Sequence, residues 1–450
     1  MAVTLGPLDL VVVDSLETAL HTHFGWSRFR AGQRPVVEAV LSGRDALAVL
    51  PTGGGKSLCY QLPALIRGGL VVVISPLVAL MEDQVLQLRR RGISAACLHA
   101  GLDPVRRQQA MAALRDESLR LLYLAPERLQ GEATQRLLET HAAEGRLVAL
   151  AVDEAHCISA WGHDFRPDYR RLGLIRRLCP GVPMLALSAT AAPRVRADIL
   201  RLLDLRSPLV QVSSARRENL RYAMQRRPRD PMPQVLEALE QSRGATLIYA
   251  RTRRSVEHWA ERLQGQSVEA TPYHAGLDPA TRQTALTQFL EQERPVLVAT
   301  VAFGMGVDRG DVGLVLHLDL PSTPEGYLQE SGRAGRDGQP ARCLVLFSPG
   351  DRTSLGWAMQ SAAGQGTTAD ERHRLDLAQQ QLRRMEAVAE GEMCREQALL
   401  LAVGELVDPC GRCDRCSASP KRKDWSRQAT TLLTHLDAVS YTHLTLPTKA

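Results

Sequence analysis

The sequence is poor in aromatic residues, which make up 4% of its 450 positions. It also contains no run of about 18 apolar residues, the length that a membrane-spanning helix requires. The mildly apolar start, LGPLDLVVVDSL, carries acidic residues and lacks the basic segment that opens a secretory signal. We therefore predict a cytoplasmic protein that is neither exported nor inserted in a membrane.

The chain also has little excess of charge of either sign. It carries 55 Lys and Arg residues against 49 Asp and Glu residues, a net charge of +6. Such a surplus is compatible with a polyanionic partner but does not require one, because many enzymes carry a similar charge. A chain of 450 residues is long enough for several domains, each with its own core.

Short apolar runs alternate with amphipathic, helix-like stretches along most of the chain. A first series is ALAVL, LVVVIS, LRLLYLAP, LVALAV and MLALSA, and a second series is ATLIYA, VLVATV, VGLVLHLDL and RCLVLFS. This alternation predicts two α/β units with parallel sheets and right-handed crossovers. We place their junction in the basic, proline-bearing segment 206–230, and the composition after Pro349 predicts helices.

A glycine-rich turn, PTGGGKS at 51–57, follows the first predicted strand. Backbone N–H groups of such a turn close around phosphate oxygens, Lys56 reaches the β- and γ-phosphates, and Ser57 offers a hydroxyl to Mg²⁺. Leu50 stands where the strict motif has glycine, so one element of the pattern is missing. The predicted nucleotide-binding residues of this turn are Thr52, Gly53, Gly54, Gly55, Lys56 and Ser57.

The segment 153–170, DEAHCISAWGHDFRPDYR, sets an acidic pair beside a cluster of aromatic and basic side chains. Asp153 and Glu154 follow a predicted buried strand, which delivers them to the edge of the sheet. We predict that Asp153 holds Mg²⁺ and that Glu154 orients and deprotonates the attacking water. The rings and cations that follow can hold a single nucleic-acid strand by stacking, although ordinary core aromatics are the alternative.

The nine cysteines form two groups. Five are scattered in apolar segments and are predicted to be buried thiols. The other four have the spacing C-x15-C-x2-C-x2-C. Four thiolates with two Cys-x2-Cys steps can form a tetrahedral Zn²⁺ site of structural type. An iron–sulfur cluster and free surface thiols are the alternatives. The predicted zinc ligands are Cys394, Cys410, Cys413 and Cys416.

Several motifs together resemble a known family. PTGGGKS, DEAHCIS, LSAT and QESGRAGRDG, in this order, resemble the motifs of superfamily 2 helicases, and FGWSRFRAGQ, SPLVALMEDQV, YHAGLD and VATVAFGMGVD are similar to those of RecQ DNA helicases. The resemblance implies two RecA-like parallel-sheet motor domains followed by a small helical zinc-binding domain. We assign these to residues 1–207, 208–348 and 349–420. Residues 421–450 then hold the start of a winged helix and a tail foreign to the family.

The resemblance also implies roles for individual residues. Arg30 and Gln33 would recognise the adenine base, Arg336 would act as an arginine finger, and Arg333 would contact the γ-phosphate, with Asp308 in the same cleft. Two cations facing a phosphate bound on the other lobe would make hydrolysis depend on closure of the lobes. The DNA-coupling residues implied in this way are Trp161, His163, Phe165, Arg166, Ser188, Thr190 and Thr300.

The function implied is ATP-dependent 3′ to 5′ unwinding of DNA in recombination and repair, with ATP, Mg²⁺ and Zn²⁺ as cofactors. Single-stranded and tailed duplex DNA would be the partners, with single-strand-binding protein as a further one and the bacterial nucleoid as the location. Two departures from the family pattern are Arg309-Gly310 in place of Lys-Pro and a linker, SSARRENLRY, without the usual aromatic residue. Because about thirty residues are too few for a winged helix, a DNA-stimulated ATPase with weak or no unwinding is the alternative. An RNA helicase is a third reading.

Overall fold

The computed structural model describes residues 14–418, apart from 163, 302, 304–308 and 364–367, together with 426, 430, 431, 433 and 434. His163, Asp308 and the segment 435–450 lie outside the described residues. Among the helices that are described, none combines the length and the apolar character that a membrane span needs.

The first unit is a seven-stranded parallel sheet in the order β3-β4-β2-β5-β6-β1-β7. Its inner strands are buried along nearly their whole length, because helices cover both faces of the sheet. The strands are β1 (Ala46–Val49), β2 (Leu70–Ile74), β3 (Ala95–Leu98), β4 (Leu121–Leu124), β5 (Leu147–Val152), β6 (Met184–Ser188) and β7 (Leu209–Val212). The helices are α1 (Asp14–Phe24), α2 (Gln33–Leu41), α3 (Leu58–Arg67), α4 (Val78–Arg90), α5 (Pro104–Arg115), α6 (Glu132–Ala143), α7 (Gly173–Leu178) and α8 (Pro193–Leu202).

The second unit is a six-stranded parallel sheet in the order β10-β11-β9-β12-β13-β8. Its strands are β8 (Leu220–Arg226), β9 (Ala245–Tyr249), β10 (Ala270–Tyr273), β11 (Val296–Ala299), β12 (Val312–His317) and β13 (Ala341–Phe347). Its helices are α9 (Met232–Glu240), α10 (Arg253–Gln264), α11 (Pro279–Glu291) and α12 (Pro324–Ser331). The two parallel sheets confirm the predicted pair of α/β units.

The connection between the two sheets is shorter than the sequence indicated. Segment 206–230, predicted as a junction, contains both β7 and β8, which are the outermost strands of the first and second sheets respectively. The predicted domain boundary at residue 207 lies just before β7, which pairs with β1 of the first sheet. Residues 213–219 alone join one sheet to the other.

A helical unit follows the second sheet and shares its core. It contains α13 (Pro349–Ala363), α14 (Ala369–Glu390), α15 (Arg395–Ala402) and α16 (Asp414–Ser417). Leu382, Met385 and Val388 of α14 pack in one cluster with buried residues of the second sheet. The Asp414 carboxylate also accepts a hydrogen bond of 3.1 Å from the backbone N–H of Met224, in edge strand β8. The predicted helical third domain is therefore present. It is packed against the second α/β unit, which we call the second lobe, the first α/β unit being the first lobe.

Candidate nucleotide and zinc sites

The glycine-rich turn lies between β1 and α3, where the sheet and a helix N-terminus meet. Gly53 and Gly55 have φ angles of +79° and +72°, a conformation that side-chain-bearing residues rarely adopt. The turn therefore depends on glycine at these two positions. Ser57 is the N-cap of the ten-residue helix α3, whose N-terminal N–H groups and dipole favour a phosphate at this point.

Two residues from the start of the first lobe support this turn. Gln33 is 2% exposed, and its Nε2 donates to the carbonyl oxygens of Gly54 (3.1 Å) and Gly55 (3.0 Å). The Oε1 of Gln33 accepts a hydrogen bond of 2.7 Å from the backbone N–H of Arg30. The guanidinium of Arg30 donates to the carbonyl oxygen of Gly53. Both residues predicted at the adenine base therefore lie directly against the glycine-rich turn at 51–57, which we call the phosphate loop.

The acidic pair lies at the carboxyl end of β5 and is almost completely buried, with exposures of 8% for Asp153 and 7% for Glu154. Burial and the charge of Glu154 raise the pKa of the Asp153 carboxyl, while Lys56 opposes this shift. Glu154 adopts a left-handed backbone conformation, with φ 47° and ψ 46°, which is strained for a residue with a side chain. Strain of this kind is often found in residues held for a function.

One cavity of about 770 Å³ collects the predicted nucleotide-site residues from both lobes. From the first lobe it is lined by Arg30, Gln33, Thr52, Gly53, Gly55, Lys56, Ser57, Asp153 and Glu154, and from the second by Gln329, Arg333 and Arg336. A methyl group placed on Gly53 would lie 3.4 Å from Cγ of Arg336, and one on Gly332 would lie 3.1 Å from Cβ of Thr52. The arginine segment of the second lobe is thus in contact with the phosphate loop.

His156 is a residue of this site that the sequence analysis did not select. Its Nδ1 lies 3.3 Å from Oε2 of Glu154 and 3.0 Å from Oγ of Ser188. Because the Ser188 hydroxyl donates to the carbonyl oxygen of Thr190 (2.7 Å), Nδ1 of His156 supplies the proton of the His156–Ser188 bond. His156 therefore links Glu154 to two of the predicted coupling residues. The histidine of the DEAH run was the signal that pointed to it.

The aromatic segment, residues 160–170, follows the acidic pair and lies between the first lobe and the helical unit. The Trp161 ring lies under the guanidinium of Arg194, 3.9 Å from its centre, and meets the His373 ring edge-on at 6.0 Å between centroids. The Phe165 ring faces the guanidinium of Arg374 on α14 at 5.5 Å. Both rings are partly exposed, so they differ from ordinary core aromatics.

The aromatic segment also packs directly against the backbone of the acidic pair and of His156. Tyr169 is fully buried, and its hydroxyl donates a hydrogen bond of 2.9 Å to the carbonyl oxygen of Asp153. A methyl group on Gly162 would lie 2.3 Å from the carbonyl oxygen of His156, so only glycine allows this close approach. The aromatic segment is therefore in direct contact with the backbone that carries the acidic pair.

The remaining predicted residues lie further from the cavity or outside the described residues. Arg166 donates to the carbonyl oxygen of Pro76 at 2.8 Å, which fixes it against the first lobe. Thr300 follows β11 in the second lobe, half-buried, and does not line the nucleotide cavity. His163 and Asp308 are not described, so their predicted roles stay predictions.

The four clustered cysteines converge on one point, with their Sγ atoms all within 4.8 Å of one another. The Cys394–Cys413 and Cys410–Cys416 sulfur pairs are 3.8 and 4.0 Å apart. Ligands about 2.3 Å from a tetrahedral Zn²⁺ would be about 3.8 Å apart, so the thiols fit this ion. Backbone N–H groups of Cys410 and Cys413 point at ligand sulfurs at 3.2 and 3.3 Å, which favours thiolates. The other five cysteines are buried, as predicted.

Comparison with known protein families supports the reading of all three units. Residues 30–199 match the DEAD/DEAH box helicase family, residues 230–338 match the helicase conserved C-terminal domain, and residues 349–417 match the RecQ zinc-binding domain. The third match covers the helical unit and includes the four clustered cysteines.

Curated relatives match along most of the chain. The ATP-dependent DNA helicase RecQ of Haemophilus influenzae is 39% identical over 409 residues, which cover 90% of this chain and 64% of the relative. A Bacillus subtilis protein named "Probable ATP-dependent DNA helicase RecS" is 40% identical over 344 residues, 75% of this chain and 67% of the relative. The chain thus spans about two thirds of the length of these relatives.

Solved structures share the fold. The DEAD-box helicase Mss116, bound to single-stranded RNA, is 16% identical with a TM-score of 0.62, covering 88% of this chain and 92% of Mss116. Mycobacterium smegmatis Lhr, bound to single-stranded DNA and AMP-PNP, is 19% identical with a TM-score of 0.59, covering 83% and 57% of the two chains. At these identities the likeness shows the fold alone. The family matches and the curated relatives confirm the resemblance carried by the motifs: the chain belongs to the RecQ family of ATP-dependent DNA helicases.

Proposed function

We propose that this chain couples ATP hydrolysis to movement along DNA and to unwinding of the duplex. The observation that supports this most is the single cavity in which the phosphate loop and acidic pair of one lobe meet the arginine pair of the other. Such a cavity would hydrolyse ATP only when the lobes are together, so hydrolysis can drive their relative movement. The domain bounds predicted from the sequence are residues 1–207, 208–348 and 349–420. Because β7 pairs with β1, we propose that the first domain extends through β7.

The phosphate loop and the residues around it would bind Mg-ATP. Backbone N–H groups of the loop and the N-terminus of α3 would bind the phosphates, and Lys56 would add a positive charge. Ser57 and Asp153 offer oxygen donors of the kind that Mg²⁺ prefers, and the bound ion would offset charge on the phosphates. Arg30 and Gln33, together with the half-exposed ring of Trp26, line the part of the cavity that would take the base.

Glu154 would orient the attacking water and accept its proton, since its carboxylate lines the cavity in a position fixed by His156. Arg336 and Arg333 would stabilise the charge that develops on the γ-phosphoryl group. Both arginines come from the second lobe, so the transition state is stabilised only while the lobes are in contact. Release of phosphate removes the charge that attracts them, which favours opening.

DNA would lie across the face that carries the aromatic segment, with Trp161, His163, Phe165 and Arg166 as contacts and Thr300 as a phosphate contact from the second lobe. Ser188 and Thr190 would relay binding to Glu154 through His156. We propose 3′ to 5′ movement, a role in recombination and repair at the bacterial nucleoid, and single-strand-binding protein as a partner. The names of the RecQ relatives support an ATP-dependent DNA helicase. The finer points rest on the resemblance of the motifs to the family.

The direct test measures ATP turnover and strand displacement by the same preparation. We expect single-stranded DNA to stimulate turnover well above the RNA level, and a duplex with a 3′ tail to be displaced while one with a 5′ tail is not. Lys56→Ala is the inactive control, because the phosphates lose their lysine. Turnover without displacement of either duplex would favour the DNA-stimulated ATPase, and preferential stimulation by RNA would contradict DNA as the substrate.

A second prediction concerns coupling between DNA binding and hydrolysis. Trp161→Ala should lower the ratio of DNA-stimulated to basal turnover about tenfold, because stacking of a base on an aromatic ring contributes about 1–3 kcal/mol. Trp357→Ala is the matched control, since Trp357 is 70% exposed on α13 and lies outside the aromatic segment. Equal losses of basal and stimulated turnover in Trp161→Ala would contradict a coupling role.

A further inference from the structure

Arg412 lies in the zinc loop, residues 410–416, which carries three of the four clustered cysteines. Its side chain, however, contacts the inter-sheet segment, residues 213–219, and the start of β8. Arg412 lies between Cys410 and Cys413, and its side chain is only 20% exposed. The guanidinium Nε donates to the carbonyl oxygen of Leu220 at 3.1 Å, and Nη2 donates to the carbonyl oxygen of Arg217 at 3.0 Å. One side chain of the zinc loop thus holds two carbonyls at the start of β8.

A buried carboxylate fixes this arginine in place. Glu396 is 2% exposed, and its Oε1 lies 2.5 Å from Nη2 of Arg412. Its second oxygen lies 3.6 Å from Nε of Arg216, in the segment between the sheets. A buried carboxylate is strongly destabilising without a cationic partner, so this ion pair restrains Arg412 to one orientation. The zinc loop and the inter-sheet segment are therefore held together as one piece.

The inter-sheet segment in turn binds the arginine segment of the nucleotide cavity. Nη2 of Arg217 donates to the carbonyl oxygens of Gly335 (2.6 Å) and Ala334 (3.3 Å). Nδ2 of Asn219 donates to the carbonyl oxygens of Gly335 and Gln339, both at 2.8 Å. Gly335 and Ala334 are the residues that separate the two arginines of the cavity.

Gly335 shows how closely these parts approach each other. It has a φ angle of +57°, and a methyl group on it would lie 2.4 Å from Nδ2 of Asn219. No larger residue fits there without displacing Asn219. The backbone between Arg333 and Arg336 is therefore set by side chains of the inter-sheet segment.

We propose that the zinc loop positions the arginine pair of the nucleotide cavity through Arg412, Arg217 and Asn219, which act as positioning residues for ATP hydrolysis. This inference rests on the proposed function. None of the three residues lines the nucleotide cavity, so they act through the backbone that carries the arginines. A displacement of about 1 Å at a reacting group can cost about 100-fold in rate, so small changes in this relay reach the chemistry.

Loss of these positioning contacts should lower kcat and leave the KM for ATP nearly unchanged. ATP would be bound mainly by the first lobe, through the phosphate loop, Arg30 and Gln33. The described hydrogen bonds of the three positioning residues go to other parts of the chain. The arginine pair stabilises charge that develops in the transition state, so its misplacement lowers kcat. A purely structural role of Arg412 would instead lower zinc content and thermal stability, and turnover would fall only in proportion to the folded fraction.

The test compares two arginines of the same zinc loop. Arg412→Ala should lower the kcat of DNA-stimulated ATP turnover about tenfold, with the KM for ATP within about twofold of wild type and zinc per chain unchanged. Arg412→Lys keeps the charge but loses the two-pronged donor, so we expect an intermediate kcat. Arg415→Ala is the control, because its exposed side chain bonds only to the Glu390 carbonyl oxygen (3.0 Å) among the described contacts, and wild-type kcat is expected.

Arg217→Lys is a second variant that preserves charge and packing at the other end of the relay, and it should reproduce the kcat defect. Wild-type kcat in both Arg412→Ala and Arg217→Lys would overturn the inference, as would a loss of kcat that merely tracks loss of bound zinc or of folded protein. Absence of DNA-stimulated turnover in the wild-type protein would instead remove the proposed function, and this inference with it.

Discussion

Glu154→Gln is expected to lower DNA-stimulated ATP turnover by about 10²- to 10⁴-fold, the usual contribution of a general base. Glutamine has the same shape as glutamate but cannot accept the proton of the attacking water. Because the two side chains have the same shape, glutamine should fit the buried position of Glu154 and keep its contact with His156. ATP should still bind, because the phosphate loop is intact.

Two measurements check this expectation on the same samples. Turnover is followed with and without single-stranded DNA, and binding is followed with a fluorescent ATP analogue. Glu132→Gln is the matched control, since Glu132 lies on the surface of α6 and pairs only with Arg136 in the described structure. A Glu154→Gln protein that keeps more than half of the wild-type turnover would show that the base lies elsewhere.

Removal of zinc is expected to unfold the helical third unit. Binding of a structural Zn²⁺ contributes about 10–16 kcal/mol of apparent folding free energy in small domains, and without the ion the clustered thiolates repel one another. Cys413 is fully buried and belongs to the core that α14 shares with the second sheet, so the damage should reach the second lobe. Cys413→Ser should therefore lose the ion and the cooperative unfolding of this unit.

Metal analysis and thiol titration distinguish this outcome. The native protein should contain one zinc ion per chain. Chelation should make the four clustered thiols reactive, while the four buried thiols of the first lobe, Cys59, Cys97, Cys157 and Cys179, stay protected. Cys97→Ala, at a buried thiol far from the cluster in sequence, should keep its zinc. A protein that keeps a cooperative helical unit after complete chelation would contradict a structural role for the metal.

Of the thirteen strands in the described part of the chain, the sequence predicted nine, and the four that it missed share one property. β3, β7, β8 and β10 are the outermost strands of the two sheets. Inner strands are buried on both faces and form continuous apolar runs, whereas an edge strand needs only partial burial, as the alternating patterns of β7 and β8 show. A residue such as Pro272 in β10 is likewise tolerated only at an edge.

The nucleotide site was predictable as a set of residues but not as a set of contacts. Local spacing identified the phosphate loop, the acidic pair and the arginines, because each motif is continuous in sequence. The contacts of Arg336 with Gly53, and of Arg412 with Arg217, join parts of the chain that are far apart in sequence, so no local pattern reports them. His156 lay within a selected motif, but its link to Ser188 became visible only in the fold.

The short connection at 213–219 limits how far the two lobes can separate. An extended chain covers about 3.5 Å per residue, so the end of β7 and the start of β8 cannot lie more than about 28 Å apart. The available length is smaller still, because Glu405 accepts hydrogen bonds from Ser214 and from the backbone N–H of Ala215. The lobes therefore have a pivot close to the zinc loop. A pair of fluorophores placed on the two sides of the nucleotide cavity should report rotation of one lobe about that pivot. A pair placed beside the pivot should stay at a constant distance.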